Sequence, residues 1–371
     1  MKKIIISGGG SGGHIFPAIA IADAIKKSSP GSEILFIGAK GRMEMEKVPS
    51  AGYPIEALWI SGFQRRLTWK NLVFPLKVLF SLWKASRIIK RFKPDVVIGV
   101  GGYASGPTLR MAVRKKIPTL IQEQNSFPGI TNRILASKVD RICVAYEGME
   151  KFFPKDRIVL IGNPVRTDLV DLKDKREDAL KFFGLKKEKL TIFIMGGSLG
   201  ARTINKSVIN CIHRNITHTG VQLLWQTGKF YFEDIKTELA IENDPEIHIH
   251  EFINRMNLAF AAADLIISRA GAIAISELCI VGKPVILIPS PNVTDDHQTK
   301  NAKALESRNA AILLKNSEAE AGLFEKITEL ISDQPLQQLL SENIRKLAVI
   351  GAAEKIAEQA LSMIKEKNKE A

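Results

Sequence analysis

Near the start of each half of this chain, a β-branched run stops at a glycine-rich turn and gives way to a helical pattern. The first reads Ile4-Ile5-Ile6-Ser7 into Gly8-Gly9-Gly10-Ser11-Gly12-Gly13-His14, and the second reads Ile194-Met195 into Gly196-Gly197-Ser198-Leu199-Gly200-Ala201. Glycine lets backbone N–H groups approach an anion closely, and the free amides at a helix start attract negative charge. Two such junctions in 371 residues, more than one core usually supports, predict an α/β chain of two nucleotide-fold domains with a cleft between them.

Other short β-branched runs, at 33–37, 95–100, 119–122, 191–195, 265–268 and 285–289, alternate with helical stretches, so both halves read as βα repeats around parallel sheets. Such sheets bind ligands beyond the carboxyl ends of their strands. The turn-forming cluster Ile161-Gly162-Asn163-Pro164-Val165-Arg166 precedes a highly charged stretch. It sets the expected domains at 1–163 and 164–349, followed by a terminal helix near 350–371.

Charge is unevenly placed. Residues 1–165 hold 26 Lys and Arg against 11 Asp and Glu, a net +15, and the rest of the chain is at −1. Much of the excess lies in 62–93, where nine basic residues and no acid interleave with aromatics and aliphatics. On a helical wheel Lys70, Lys77, Lys84, Arg87 and Arg91 share one side, and Leu72, Leu76, Leu79, Phe80 and Trp83 share another. That pattern fits an interfacial helix on an anionic membrane, and it also fits a core-packed helix with a basic solvent face. The expected lipid-facing patch is Leu72, Phe74, Lys77, Leu79, Phe80, Trp83, Lys84 and Arg87. No nucleic-acid motif accompanies it, so no nucleic-acid partner is expected. No apolar run is long enough to span a bilayer, and Cys143, Cys211 and Cys279 are scattered without metal or disulfide spacing. A reducing, cytoplasmic setting is expected.

Gly8, Gly10 and Gly13 satisfy G-x-G-x-x-G, but a dinucleotide fold wants an acid at the end of the second strand, and the chain there reads Ile37-Gly38-Ala39-Lys40. NAD and FAD are therefore not expected. His14 follows the last glycine at a helix start, where partial positive charge disfavours an imidazolium and leaves a neutral ring able to take a proton. A second turn, Gly99-Val100-Gly101-Gly102-Tyr103-Ala104-Ser105, gives the same half another backbone cradle, which suits an acceptor bearing a diphosphate: Gly10, Gly102, Tyr103 and Ser105 are its candidates. In the second half Gly196-Gly197-Ser198 and Arg269-Ala270-Gly271-Ala272 open helices, and Glu277 on the latter helix could accept from a ribose diol. Metal-ligand spacing is poor, and Asp295-Asp296-His297 reads as a turn or cap. No metal and no cofactor are expected.

Taken in order and spacing, these segments, together with Glu123-Gln124-Asn125 and Asp296-His297-Gln298, resemble the MurG family of lipid II-forming transferases over nearly the whole chain. The resemblance implies a GT-B glycosyltransferase of two Rossmann-like domains whose last helix returns to the first domain. It implies inverting transfer of GlcNAc from UDP-GlcNAc to the 4-hydroxyl of undecaprenyl-diphospho-MurNAc-pentapeptide, lipid I. The setting implied is the inner face of the plasma membrane, with other cell-wall synthesis proteins as partners. It places Ser11, Gly12, Gly13, Asn125, Arg166, Ser198, Ile253, Ala272, Glu277 and Gln298 at the donor, with Ile253 near the uracil and Glu277 on the ribose, and makes His14 the candidate base. Thr299 departs from a second glutamine that many members carry, which puts sugar contacts there in doubt. Two other readings share these features: a GT-B enzyme that glycosylates a diacylglycerol, and a membrane adaptor that binds UDP-sugars without turnover.

Overall fold

The computed structural model describes residues 1–61, 74–165, 167–239, 244–291 and 296–370. The chain forms two compact units, Met1–Arg166 with Gly351–Ala371, and Thr167–Ile350.

In the first unit the strands are β1 (Lys3–Ser7), β2 (Glu33–Ala39), β3 (Ile55–Leu58), β4 (Val96–Gly99), β5 (Thr119–Glu123), β6 (Arg141–Val144) and β7 (Ile158–Leu160). They make one parallel sheet in the order β3-β2-β1-β4-β5-β6-β7. Ile4 pairs with Ile34 on one side and Val96 on the other, so strand order reverses at β1 and β4, where an open α/β sheet offers its crevice. Alternation along β1 sends Ile4 and Ile6 into one core and Ile5 into a second. The first core is closed by the helix Gly12–Ser28 and the terminal helix Ala352–Glu370, which contributes Ile356, Ala357, Ala360 and Ile364. Arg141 on β6 also ties that helix down by donating to Gln359 Oε1 at 2.8 Å and Ser362 Oγ at 3.0 Å.

The second unit repeats the scheme with β8 (Leu190–Met195), β9 (Val221–Gln226), β10 (Ile247–His250), β11 (Leu265–Ser268), β12 (Val285–Leu287) and β13 (Ile312–Leu313). The order is β10-β9-β8-β11-β12-β13, again parallel, with the reversal at β8 and β11. Ile192 and Ile194 enter one core while Phe193 and Met195 enter the other. Both units are therefore Rossmann-like, as the twin glycine turns predict. Among the described residues no helix is long and apolar enough to cross a membrane. All three cysteines are buried free thiols.

Several strands escape sequence reasoning because they carry polar residues. β10 reads Ile-His-Ile-His, and β9 contains Gln222 and Gln226, both buried. Gln222 tolerates burial because its amide donates to Lys186 O at 2.8 Å and its carbonyl accepts from Lys186 N at 2.9 Å.

Candidate active site

In the first unit the glycine turns after β1 and β4 interlock. Gly102, with φ +84°, lies so close to Gly9 that a Cβ there would stand 2.2 Å from Gly9 O. Gly101, with φ +94°, lies beside the His14 ring. His14 sits in the first turn of the helix Gly12–Ser28, whose first turn holds no acid. Its Nδ1 lies 3.1 Å from Gly9 O and 3.2 Å from Ser11 Oγ. A carbonyl oxygen only accepts, so Nδ1 carries the ring proton and donates to Gly9, and the lone pair falls on Nε2. Burial pushes the ring's pKa below its ordinary 6.5, opposed by the charge of Glu123, the Gly9 hydrogen bond and the charge of Glu44. The ring is thus held neutral with one nitrogen able to accept a proton.

Glu123 closes β5 and is 1% exposed. It accepts from the backbone N of Asn125 at 3.0 Å and its Nδ2 at 3.2 Å, from Gly129 N at 3.2 Å and from Asn132 Nδ2 at 2.8 Å. One carboxylate thereby fixes the loop that carries Asn125. Next to it, the Gln124 side chain donates to Val100 O at 2.8 Å and to Gln122, and its backbone carbonyl accepts from Asn163 Nδ2 at 3.2 Å. This buried network joins the ends of β4 and β5 to the segment leading towards Arg166, which itself lies outside the described residues.

Sequence reasoning missed Glu44. It opens the helix Glu44–Ser50, is 1% exposed, and accepts from Gly10 N at 2.9 Å and Ala39 N at 2.9 Å. Both oxygens are spent on main-chain amides, so Glu44 does not supply the ribose-binding acid that a dinucleotide fold needs. Its sequence signal is only that of an acid in a first helical turn. Its engagement also means that the Gly10 amide donates to protein in this structure. Of the other acceptor candidates, Tyr103 is 45% exposed beside Gly10, while the Ser105 hydroxyl is buried against Gly99.

In the second unit Gln226, at the end of β9, is the organiser. Its Nε2 donates to Gly197 O at 3.2 Å, and its Oε1 accepts from Ile253 N at 2.9 Å, linking the glycine turn that carries Ser198 to the Ile253 segment. The Ile253 side chain is buried in the core, and its backbone N is taken by Gln226. Gly271 caps the helix Ala272–Val281, whose first turn holds no acid, so its positive end is uncompensated by side chains. Glu277 lies on that helix, 6% exposed. Arg269 donates to Ile288 O at 2.9 Å, Pro289 O at 3.0 Å and Asn316 Oδ1 at 2.7 Å, and burial lowers its pKa to about 10. It braces the loop in which Ser290 N donates to Gln298 Oε1 at 2.8 Å. Thr299 donates to Asp296 Oδ1 at 2.7 Å. Ser198, Ile253, Ala272, Glu277 and Gln298 therefore all stand at or just beyond the carboxyl ends of strands in one sheet. Asp295 lies outside the described residues.

The helix Phe74–Phe92 packs on its own unit through Ser81, Ala85, Ile88 and Ile89. It turns Leu76, Leu79, Phe80 and Trp83 outward, and with Trp59 they are between 43 and 62% exposed. Phe80 meets Trp59 edge-on at 6.0 Å and Trp83 at a tilt at 5.6 Å between ring centroids, Arg87 lies over Trp83, and Lys77 lies over Trp59 while donating to Ser61 Oγ at 3.1 Å. Lys77 and Arg87 thus lie beside this outward apolar face, while Leu82 and Phe92 pack inward with Ile88 and Ile89. Leu72 lies outside the described residues.

Residues 4–144 match the glycosyltransferase family 28 N-terminal domain, and residues 191–362 match the family 28 C-terminal domain. The chain is 56% identical over 362 residues to the UDP-N-acetylglucosamine--N-acetylmuramyl-(pentapeptide) pyrophosphoryl-undecaprenol N-acetylglucosamine transferase of Cytophaga hutchinsonii, covering 98% of this chain and 97% of the relative. It is 53% identical to the Bacteroides fragilis protein of the same description, covering 97 and 95%. Among solved structures, Acinetobacter baumannii MurG superposes with a TM-score of 0.75 at 27% identity, covering 98% of this chain and all of that one. The UDP-GlcNAc 2-epimerase of Neisseria meningitidis shares the fold, with a TM-score of 0.68 at 15% identity and 98 and 100% coverage.

Proposed function

We propose, for a chain that belongs to the family of UDP-N-acetylglucosamine--N-acetylmuramyl-(pentapeptide) pyrophosphoryl-undecaprenol N-acetylglucosamine transferases, the inverting transfer of GlcNAc from UDP-GlcNAc to the 4-hydroxyl of MurNAc in lipid I, giving lipid II. The observation that carries the chemistry is the neutral His14, held by Gly9 with Nε2 as its proton acceptor. The acceptor hydroxyl loses its proton to Nε2 as its oxygen bonds to the anomeric carbon. The bond from that carbon to the diphosphate oxygen breaks, and the electron pair leaves with UDP.

Developing charge on UDP needs positive partners. The helix starts at Arg202 and Ala272 carry no acid in their first turns and supply main-chain dipoles, in support of a reaction that needs no bound metal. In this reading the second unit grips the donor through Ser198, the Ile253 backbone, Ala272, Glu277 and Gln298, and Arg166 adds a cation. In the first unit the turn at Gly102 and Tyr103 receives the acceptor diphosphate.

The exposed apolar face of the helix Phe74–Phe92 and its cations support peripheral attachment to the anionic cytoplasmic face of the plasma membrane, where a polyprenyl-linked acceptor resides. Supplying radiolabelled UDP-GlcNAc with a lipid I analogue or with diacylglycerol in the same vesicles tests the reading. Label should pass to the lipid I analogue and not to the diacylglycerol, and the new linkage should be β. Transfer to diacylglycerol alone would overturn it, as would UDP-GlcNAc binding without any transfer.

A further inference from the structure

We infer that Glu44 is a positioning residue for His14, acting through the Gly9–Gly10 backbone. The inference rests on His14 being the base. Glu44 does not touch the imidazole by any hydrogen bond of its own; it holds the peptide that does.

The geometry is a relay of fixed contacts. Glu44 Oε2 accepts from Gly10 N and Oε1 from Ala39 N, each at 2.9 Å, so one carboxylate bridges the turn after β1 to the end of β2. The fit is tight on both sides. A Cβ on Gly9 would stand 2.2 Å from Glu44 Oε1, and one on Gly38 would stand 2.6 Å from Glu44 Cγ. Gly9 itself has φ +142°, a conformation that side chains resist and glycine adopts freely, so the close approach of Glu44 requires glycine at this position. From the opposite side Gly102 closes on Gly9. The carbonyl at that pinch is the one that accepts from His14 Nδ1 at 3.1 Å. Its direction decides which ring nitrogen keeps the proton, and Glu44 is the side chain that sets it.

Glu44 also contributes charge. The ionisable groups that act on the ring are Glu123, from the end of β5, and Glu44, from the helix Glu44–Ser50. Both oppose the effect of burial, so losing either carboxylate lowers the ring's affinity for a proton further. The titration midpoint therefore reads the charge of Glu44, and the tautomer reads its hold on the Gly9 carbonyl.

The test is Glu44→Gln in the full-length protein, with ring ¹⁵N shifts assigned by comparison with His14→Ala. An amide can satisfy one of the two backbone donors but presents an N–H to the other. The expected result is a mixed tautomer, a lower titration midpoint for His14, and a fall in kcat of roughly ten- to a hundredfold with an unchanged KM for UDP-GlcNAc. If tautomer and midpoint move but kcat does not, Glu44 positions the ring and the base role of His14 falls. If kcat falls while tautomer and midpoint stay, the positioning inference is overturned and the base role stands. Should the Gln variant not fold, Glu44→Asp carries the test, because it keeps the charge and shortens the reach. It should lower kcat and mix the tautomers with a smaller change in midpoint, and wild-type behaviour in both would overturn the inference.

Discussion

Gly101 leaves open a place where a methyl group would strike the His14 ring: a Cβ there would stand 2.9 Å from both Cδ2 and Nε2. The glycine turn after β4 therefore shapes the space around the base. Gly101→Ala should displace the imidazole and reduce kcat roughly a hundredfold, since misplacement of about 1 Å has that scale of effect. Its φ of +94° adds a stability cost of about 1–2 kcal/mol. Steady-state kinetics beside a thermal melt separate the two: near wild-type kcat in a folded Gly101→Ala protein would show that the ring is not confined there.

The pH profile should carry the mark of a ring that resists protonation. Burial lowers the His14 pKa despite the two carboxylates, so the neutral base persists to lower pH than an ordinary histidine allows. The acid limb of kcat/KM should fall below 6.5. The sign for stability follows from the same shift: the unfolded ring takes a proton first, so this contribution is present above 6.5 and is lost as pH falls through the lower folded value. An acid limb above 6.5 would contradict the arrangement.

Gln226 offers a test confined to the second unit. Gln226→Leu removes the acceptor for Ile253 N and the donor to Gly197 O, at a cost of about 1–3 kcal/mol for the stranded amide. Part of that cost should appear as a roughly tenfold rise in KM for UDP-GlcNAc, the equivalent of about 1.4 kcal/mol. KM for the acceptor analogue should stay put. An unchanged donor KM would remove Gln226 from the donor grip.

Much of this was legible in the chain, and the remainder was hidden for identifiable reasons. Runs such as Ile4-Ile5-Ile6 announce a strand buried on both faces, and glycines at their ends announce the turns. β9 was not announced, because the glutamines that interrupt it are satisfied by Lys186 and Ile253, partners 36 and 27 residues away. Glu44 was hidden for the same reason, since the amides it bridges lie on segments that only the sheet brings together. The helix Phe74–Phe92 showed an apolar face and a basic one on a wheel. The wheel did not show which face points inward, because Leu82, Ile88, Ile89 and Phe92 make an inward apolar face beside the outward one.

That outward face should be dispensable to chemistry and necessary for the membrane. Replacing Leu79, Phe80 and Trp83 with Ser removes side chains worth about 1.5–3 kcal/mol each when buried. Co-sedimentation with anionic vesicles should drop sharply, while turnover of a short-chain, water-soluble acceptor analogue should hold. Unchanged pelleting would end the case for this face as the lipid contact.

The most direct measurement is transfer by His14→Ala from radiolabelled UDP-GlcNAc to a lipid I analogue, in EDTA, beside calorimetric binding of UDP-GlcNAc. The wild-type protein should make product without added metal. The variant should lose about 10²–10⁴-fold in kcat, the span expected for a general base, while binding the donor as before. Product formed by His14→Ala at close to the wild-type rate would contradict a reaction driven by this imidazole.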